Sequence, residues 1–233
     1  MKKFQKNYAI GFFLFQIILL IFISNPVLNA QSKKELKVSF WNVENLFDLE
    51  NDPEKNDDEF SIGGRKNVTT EIYDLKLKNC GEVLEDLDAD ILGICEVENR
   101  FMLEELNRYY TNRDYSIVHY DSPDNRGIDC ALLYDEQVFT LLESNQVENI
   151  LPGNLPTRDI IHVKGLFHDQ PLHIFVNHWP SNYGGKEKAI LKRKATAELL
   201  ISKIKVIQKN DKLAAIILLG DFNEDPIDDN VKN

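Results

Sequence analysis

The run from Tyr115 to Trp179 restricts the fold more than any other part of this 233-residue chain. Five short β-prone stretches follow one another: Tyr115 to Tyr120, Ile128 to Tyr134, Val138 to Val147, Ile160 to Phe167 and Leu172 to Trp179. Turn formers such as Ser122-Pro123-Asp124, Pro152-Gly153-Asn154 and His168-Asp169-Gln170-Pro171 separate them, supplying the fixed or permissive backbone angles that reversals need. On either side the pattern changes. Leu36 to Val43 and Ile91 to Val97 read as buried strands, and between them Leu77, Cys80, Leu84 and Leu87 recur at helical spacing within Leu75 to Leu87. Asn99 to Tyr110 is a second helix with Asn99 as its cap. Lys186 to Lys209 is a long helix with Ala189, Ile190, Ala197, Leu200, Ile201 and Ile204 on its apolar side, and it feeds the apolar strand Ala214 to Leu219. Hairpins mixed with crossover helices predict a layered α/β domain with mixed or mostly antiparallel sheets.

The first thirty residues differ in kind. Met1 to Tyr8 carries three lysines and no acid, and Ala9 to Ile23 is almost unbroken hydrocarbon, shorter than the roughly 20 residues of a membrane span. Small residues follow at Ser24 and Ala30, so residues 1–30 read as a secretory signal cleaved after Ala30. The alternative is an uncleaved anchor, because Leu28 stands where a small residue is usual. Residues 31–233 then form one domain, expected to be a secreted or periplasmic monomer with no stable hold on a membrane. The formal charge of the whole chain is −11, so attraction to a polyanion has to come from a local basic surface or a bound metal.

Cys80, Cys95 and Cys130 sit in apolar stretches without metal-ligand spacing and read as buried free thiols. The segment Asp48 to Glu59 holds seven carboxylates in twelve residues. It reads as a solvated loop, with a calcium site as the alternative, although EF-hand spacing is absent.

Four polar pairs end apolar strands: Asn42 with Glu44, Glu96 with Glu98, Asn177 with His178, and Asp221 with Asn223. Any one of them is most simply a strand reaching solvent. Taken together, carboxylates and amide oxygens are hard ligands suited to Mg²⁺, Mn²⁺ or Ca²⁺, and no paired cysteines or His-Glu-x-x-His helix point to zinc. A hard cation, an imidazole and an Asp-x-Asn pair are what hydrolysis of a phosphodiester needs.

The stretches SFWNVENLFD, ILGICEVENR, DSPDNRGIDCALLYD, FVNHWPSNYGG and IILLGDFNEDP, in that order, resemble successive motifs of the endonuclease/exonuclease/phosphatase superfamily, which includes pancreatic-type deoxyribonucleases. The resemblance runs from about Val38 to Asp228. It implies a four-layer α/β/β/α sandwich of two mixed, mostly antiparallel sheets. It also implies metal-dependent hydrolysis of nucleic acid or another phosphodiester, with Mg²⁺ as the expected cofactor and Mn²⁺ or Ca²⁺ as alternatives. By the same resemblance, Glu96 and Asn42 hold the metal with Glu44 as a helper, Asp221 positions the water, Asn223 and His178 contact the phosphate, and Arg126 and Asn177 bind substrate. A phosphatase or phospholipid phosphodiesterase of the same fold, or a fragment that only binds metal, is the alternative. Members usually continue to a Ser-Asp-His segment, absent before Asn233, so the last strands of one sheet are expected to be missing.

Other candidates have plainer readings. Glu98 and Asp225 read as exposed neighbours, the remaining histidines (His119, His162, His168, His173) as surface or structural, and Trp41 and Trp179 as core. Arg126 can also pair with Asp121 or Asp129. Along the last long helix, Lys192, Arg193 and Lys194 belong to a basic stripe that either is solvated or attracts a polyanion beside the cleft.

Overall fold

The computed structural model describes residues 35–110 and 112–232, so the leader of residues 1–30 lies outside the described residues. Among them, the elements are β1 (Val38–Leu46), α1 (Thr70–Leu87), β2 (Ile91–Val97), α2 (Arg100–Tyr109), β3 (Ser116–His119), β4 (Asp129–Tyr134), β5 (Thr140–Val147), β6 (Ile160–Phe167), β7 (Gln170–His178), α3 (Lys186–Asn210), β8 (Ala215–Asp221) and α4 (Asp229–Lys232). Each predicted element is present, with shifted ends. α1 starts five residues before Leu75 because Thr69 caps it, its hydroxyl accepting from Ile72 N. The first residues of that helix are exposed and carry no apolar stripe for periodicity to detect. Asn99 caps α2 as expected, accepting from Met102 N at 3.0 Å.

The strands form two four-stranded sheets, ordered β1-β2-β4-β3 and β5-β6-β7-β8. Hairpin-type pairing makes both mostly antiparallel, and each contains one parallel pair, β1 with β2 and β7 with β8. Alternation of side chains then builds the layers. Ile91 and Cys95 of β2 pack with Leu132 of β4, Ile161 and Val163 of β6, and Ile174 and Val176 of β7, filling the space between the sheets. Leu92 and Ile94 point the other way, against Leu77 and Leu84 of α1 and Met102 and Leu106 of α2. On the second sheet, Val147, Ile160 and Phe175 pack against Ala197 and Leu200 of α3. The order is therefore helices, sheet, sheet, helix, the expected four-layer sandwich. Gly93 leaves room for its neighbours: a Cβ there would lie 3.1 Å from the Phe40 ring in the same sheet and 3.2 Å from the Leu219 side chain of the other. β8 forms one edge of its sheet, and no strand among the described residues pairs with its free side.

The buried face of α3 differs from expectation. Ala189, Arg193, Thr196, Ala197 and Leu200 are buried, while Ile190 is exposed. Ala189, Ala197, Leu200 and Ile204 do lie on the packed side, and the stripe turns away from Ile190 because the arginine at its centre is invisible to apolar periodicity. Arg193 is 1% exposed and ion-paired with Glu224, and its Nη1 donates to Pro180 O at 3.0 Å and Asn182 Oδ1 at 3.1 Å. It is a structural cation, not part of a free basic stripe.

The three cysteines are free and buried, as read from the sequence. Trp179 is buried and Trp41 packs against the first core cluster, also as expected. His162 and His173 form a half-buried stacked pair on the α3 side of the second sheet. Their rings are 5.2 Å apart with Nε2 of one 2.9 Å from Nδ1 of the other, and His162 also stacks on Phe175. Burial first, then the charge of His173, lowers the His162 pKa from 6.5 to about 4. A histidine depressed on folding contributes stability that is full above its unfolded pKa and is lost as pH falls towards its folded one. Between pH 6.5 and 4 the fold is therefore expected to lose on the order of 1–2 kcal/mol through this residue, after discounting for partial solvent screening. Urea unfolding at neutral pH and near pH 4.5 checks this: His162→Gln should show a flatter dependence, and identical slopes for both proteins would refute it.

Candidate active site

Side-chain alternation carries three of the polar strand ends into one place. In β1, Val38 and Phe40 face the other sheet, so Asn42 does as well. In β7, Leu172, Ile174 and Val176 face inward and His178 continues that row. In β8, Ile217 and Leu219 do the same and Asp221 follows. Because the parallel pairs β1/β2 and β7/β8 run with their carboxyl ends side by side, Asn42 is opposite Cys95 and His178 opposite Asp221 in register.

Glu96 arrives by a different route. Strict alternation from Leu92 and Ile94 would aim it at the helices. Instead the register slips between Cys95 and Val97 on the β4 side and between Asn42 and Leu46 on the β1 side. Cys95 faces the inter-sheet core while Val97, two residues on, faces the helices, so Glu96 is the extra residue of a bulge that redirects it inward. Its φ is +64°, in the left-handed region, and Glu44, Asn45 and Asn223 share that conformation at +54°, +61° and +49°. Non-glycine residues held there cost about 1–3 kcal/mol each and concentrate where a site is being shaped.

The resulting cluster is tight. Asn42 Nδ2 donates to Glu96 Oε1 at 3.2 Å and to Asp221 Oδ2 at 3.1 Å. Glu96 Oε2 accepts from Asn45 N at 3.1 Å, and Asp221 Oδ1 accepts from Asn223 N at 3.0 Å. His178 Nε2 lies 3.6 Å from Glu96 Oε1, while its Nδ1 is buried without a hydrogen-bond partner. Burial, then the charges of Arg158 and Arg126, push the His178 pKa from 6.5 down to about 2. The imidazole is therefore held in its neutral form. Cys95 lies close by but packs into the inter-sheet core, and burial raises its thiol pKa. Two carboxylates converging on one amide, with no thiolate among them, are donors for a hard divalent cation.

Arg158 and Asp124 escaped sequence reasoning. Both are buried; Arg158 Nη1 donates to Asp124 Oδ2 at 3.1 Å and Nη2 to Trp179 O at 3.1 Å. Asn223 Nδ2 donates to the same carbonyl at 3.0 Å. A salt bridge thus ties the loop carrying Arg126 to the residue after His178. The available signal was Thr157-Arg158-Asp159 directly before the apolar β6, which looks like a polar loop but is buried throughout.

Other expected site residues fall differently. Arg126 is exposed; its Nε is 4.0 Å from Asp124 Oδ1, so its carboxylate neighbour is neither Asp121 nor Asp129. Glu44 is exposed on the rim, and only its backbone is tied down, its N–H donating to Asn42 Oδ1 at 2.9 Å. Asn177 lies on the opposite face of β7 from His178, fully buried, with its amide donating to Leu219 O and accepting from the Trp179 indole. Its side chain is committed to packing rather than to the cleft. Asp225 is exposed as expected, but Glu98 is not. Burial, then the charges of Asp48 and Asp57, raise its pKa to about 8.

A model of the Endonuclease/Exonuclease/phosphatase family matches residues 37–233. No curated protein matches the chain. Among solved structures, an endonuclease/exonuclease/phosphatase family protein from Bacteroides thetaiotaomicron is similar at TM-score 0.59 and 20% identity, covering 84% of this chain and 66% of its own. The human Nocturnin catalytic domain gives TM-score 0.53 and 21% identity, with coverages of 72% and 63%. ANGEL2, described as a 2',3'-cyclic phosphatase, gives 0.52 and 18%, with coverages of 66% and 45%. This chain spans less than two thirds of the length of each.

Proposed function

Because the chain belongs to the endonuclease/exonuclease/phosphatase family, we propose that it is a divalent-metal-dependent, nuclease-like phosphodiesterase working at the cluster of Asn42, Glu96, His178 and Asp221. The observation that carries this reading is the approach of Glu96 and Asp221 to a single amide nitrogen. Glu96 and Asp221 would hold the cation, with Asn42 Nδ2 bonded to both carboxylates and setting their spacing, and Mg²⁺ suits their hard oxygens. A bound divalent cation supplies charge neutralisation at the phosphate. Asp221, fixed through both oxygens, orients the attacking water and takes its proton. Neutral His178, whose Nε2 faces the cluster 3.6 Å from Glu96 Oε1, offers that N–H to a phosphate oxygen. Arg158 holds the Trp179 carbonyl and Asp124, and so keeps His178 and the Arg126 loop in place, while Arg126 meets phosphate charge from the rim.

A polymeric substrate is favoured by a groove of about 260 Å³ that starts at Glu44 and Asn45 and is lined by Phe60, Tyr73, Lys66 and Lys76. Aromatic and cationic walls beside the cluster suit a base and its flanking phosphate. The second reading, a phosphatase, draws on the ANGEL2 likeness. We read residues 1–30 as an export signal, which would put the activity outside the cytoplasm. Among the described residues, no helix is long and apolar enough to cross a membrane. The purified protein is tested on plasmid DNA, RNA, a 2',3'-cyclic nucleotide and bis(4-nitrophenyl) phosphate, in Mg²⁺ and after chelation. Nucleic acid should be cut fastest and only with metal. Hydrolysis that survives chelation overturns the metal reading, and preference for the cyclic nucleotide selects the phosphatase.

A further inference from the structure

The turn near the end of β1 is held from outside the strand. Glu44 and Asn45 are consecutive non-glycine residues in the left-handed region, with φ of +54° and +61°, and the register with β2 breaks between Asn42 and Leu46. The β1/β2 ladder therefore does not fix them. Both are tied to the cluster through their N–H groups. Glu44 N donates to Asn42 Oδ1 at 2.9 Å, which leaves Asn42 Nδ2 for Glu96 and Asp221, and Asn45 N donates to Glu96 Oε2 at 3.1 Å. Backbone of this kind persists only where surrounding groups over-determine it. The further restraint comes from α1. Lys76 lies three residues after Tyr73 and four before Cys80, both packed into the first core cluster, and so shares their side of the helix. Its Nζ donates to Glu44 O at 2.5 Å and to Asn45 O at 2.9 Å. One ammonium thus grips both carbonyls of the turn whose N–H groups orient Asn42 and Glu96.

We propose that Lys76 is a positioning residue for the carboxylate of Glu96, acting through the Glu44–Asn45 turn. This rests on the reading of the cluster as a metal-dependent hydrolytic site. Without the ammonium the two carbonyls lose their shared donor, and the left-handed pair relaxes towards ordinary backbone angles. Asn45 N then turns away from Glu96 Oε2, and Asn42 loses the N–H that orients its amide. The cation would meet two carboxylates that are present but no longer aimed. The assignment also divides labour in the groove beside the cluster, which Lys66 and Lys76 both line. Two of the three Lys76 donors are spent on the turn. Contact with a substrate phosphate in that groove therefore falls to Lys66, whose Nζ stands 5.6 Å from the Phe60 ring centroid.

Lys76→Met keeps the aliphatic stem and removes the ammonium, whereas Lys76→Arg keeps a cation able to serve both carbonyls. Mg²⁺ affinity by calorimetry, kcat and KM on DNA, and hydrogen exchange of the Asn45 N–H are measured on wild type, both variants and Lys76→Met combined with Asn45→Gly. Lys76→Met should bind Mg²⁺ and turn over about 10–100-fold less well, the usual cost of losing a partner of a metal ligand. Its KM at saturating metal should stay nearly unchanged, and its Asn45 N–H should exchange faster even in chelator. Lys76→Arg should keep most of the wild-type values. Adding Asn45→Gly should restore part of the Lys76→Met loss, because glycine adopts positive φ without steric cost. Lys76→Gln reads the same loss if Lys76→Met does not fold. The proposal is overturned if Lys76→Met leaves Mg²⁺ affinity and Asn45 exchange as in wild type. A raised KM with weaker salt dependence would then put the ammonium on substrate instead. Mg²⁺ binding by wild type without hydrolysis of any substrate removes the hydrolytic reading alone, and the affinities still decide the role of Lys76; no Mg²⁺ binding by wild type overturns both.

Discussion

Glu96→Gln is expected to lower phosphodiester hydrolysis by about a hundredfold or more while leaving the melting temperature nearly unchanged. Glutamine keeps the volume, the bulge and one oxygen that can accept from Asn45 N, but it removes the charge that would bind a cation against Asp221. Losing a supporting partner of a metal ligand typically costs about 10–100-fold, and losing one preorganised charge-stabilising group about 10²–10³-fold, so loss of a direct ligand belongs at or above that range. The effect should appear as weaker apparent Mg²⁺ affinity and lower kcat, with little change in the protein's affinity for uncleaved DNA in the absence of metal. Turnover equal to wild type at saturating Mg²⁺ would remove Glu96 from the site and the mechanism with it.

Arg193→Ala should destabilise the fold by about 3–5 kcal/mol, the usual cost of leaving the other half of a buried ion pair uncompensated. The stranded partner is Glu224, whose side chain is 4% exposed, and the carbonyl of Pro180 also loses its donor. Replacing both partners by apolar residues of similar size, Arg193→Met with Glu224→Leu, should recover most of that loss, because desolvating the pair offsets much of its Coulomb attraction. Urea unfolding of the two single variants and the double variant measures this. If Arg193→Ala costs less than about 1 kcal/mol, the pair is behaving as an exposed one. The same residue joins the segment after His178 to the segment after Asn223, so its loss should also depress hydrolysis. Any role of the helix in attracting a polyanion must therefore rest on Lys192 and Lys194, the latter exposed and 4.0 Å from Glu198.

Much of the architecture was legible from the sequence because burial imposes its own period: Ile91-Leu92-Gly93-Ile94-Cys95 reads as a strand covered on both sides, and both its faces are indeed buried. Asn42, His178 and Asp221 were legible as site residues for a related reason, since each extends an inward row by one alternation. Glu96 was not legible in that way. Alternation points it at the helices, and nothing at this position, such as a glycine, marks the backbone reversal. Its place at the end of an apolar strand and its likeness to a family motif singled it out, but neither gave the direction of its side chain. Charged residues inside the fold were the systematic blind spot. Arg158, Asp124, Arg193, Asp57 and Glu98 all sit where hydropathy signals loop or solvent, and each is buried, or nearly so, by a partner distant in the chain or by an unmet electrostatic demand.

The division of the cluster between two sheets also sets when it can exist during synthesis. Residues 42 and 96 belong to the first sheet and are made early; residue 178 waits on the hairpins of the second, and residue 221 is the last residue of β8. Domains fold as units while the ribosome still holds their tail, so no nascent fragment that stops short of β8 brings the four side chains together. Until the second sheet packs on the first, the growing polypeptide therefore lacks the four-residue cluster.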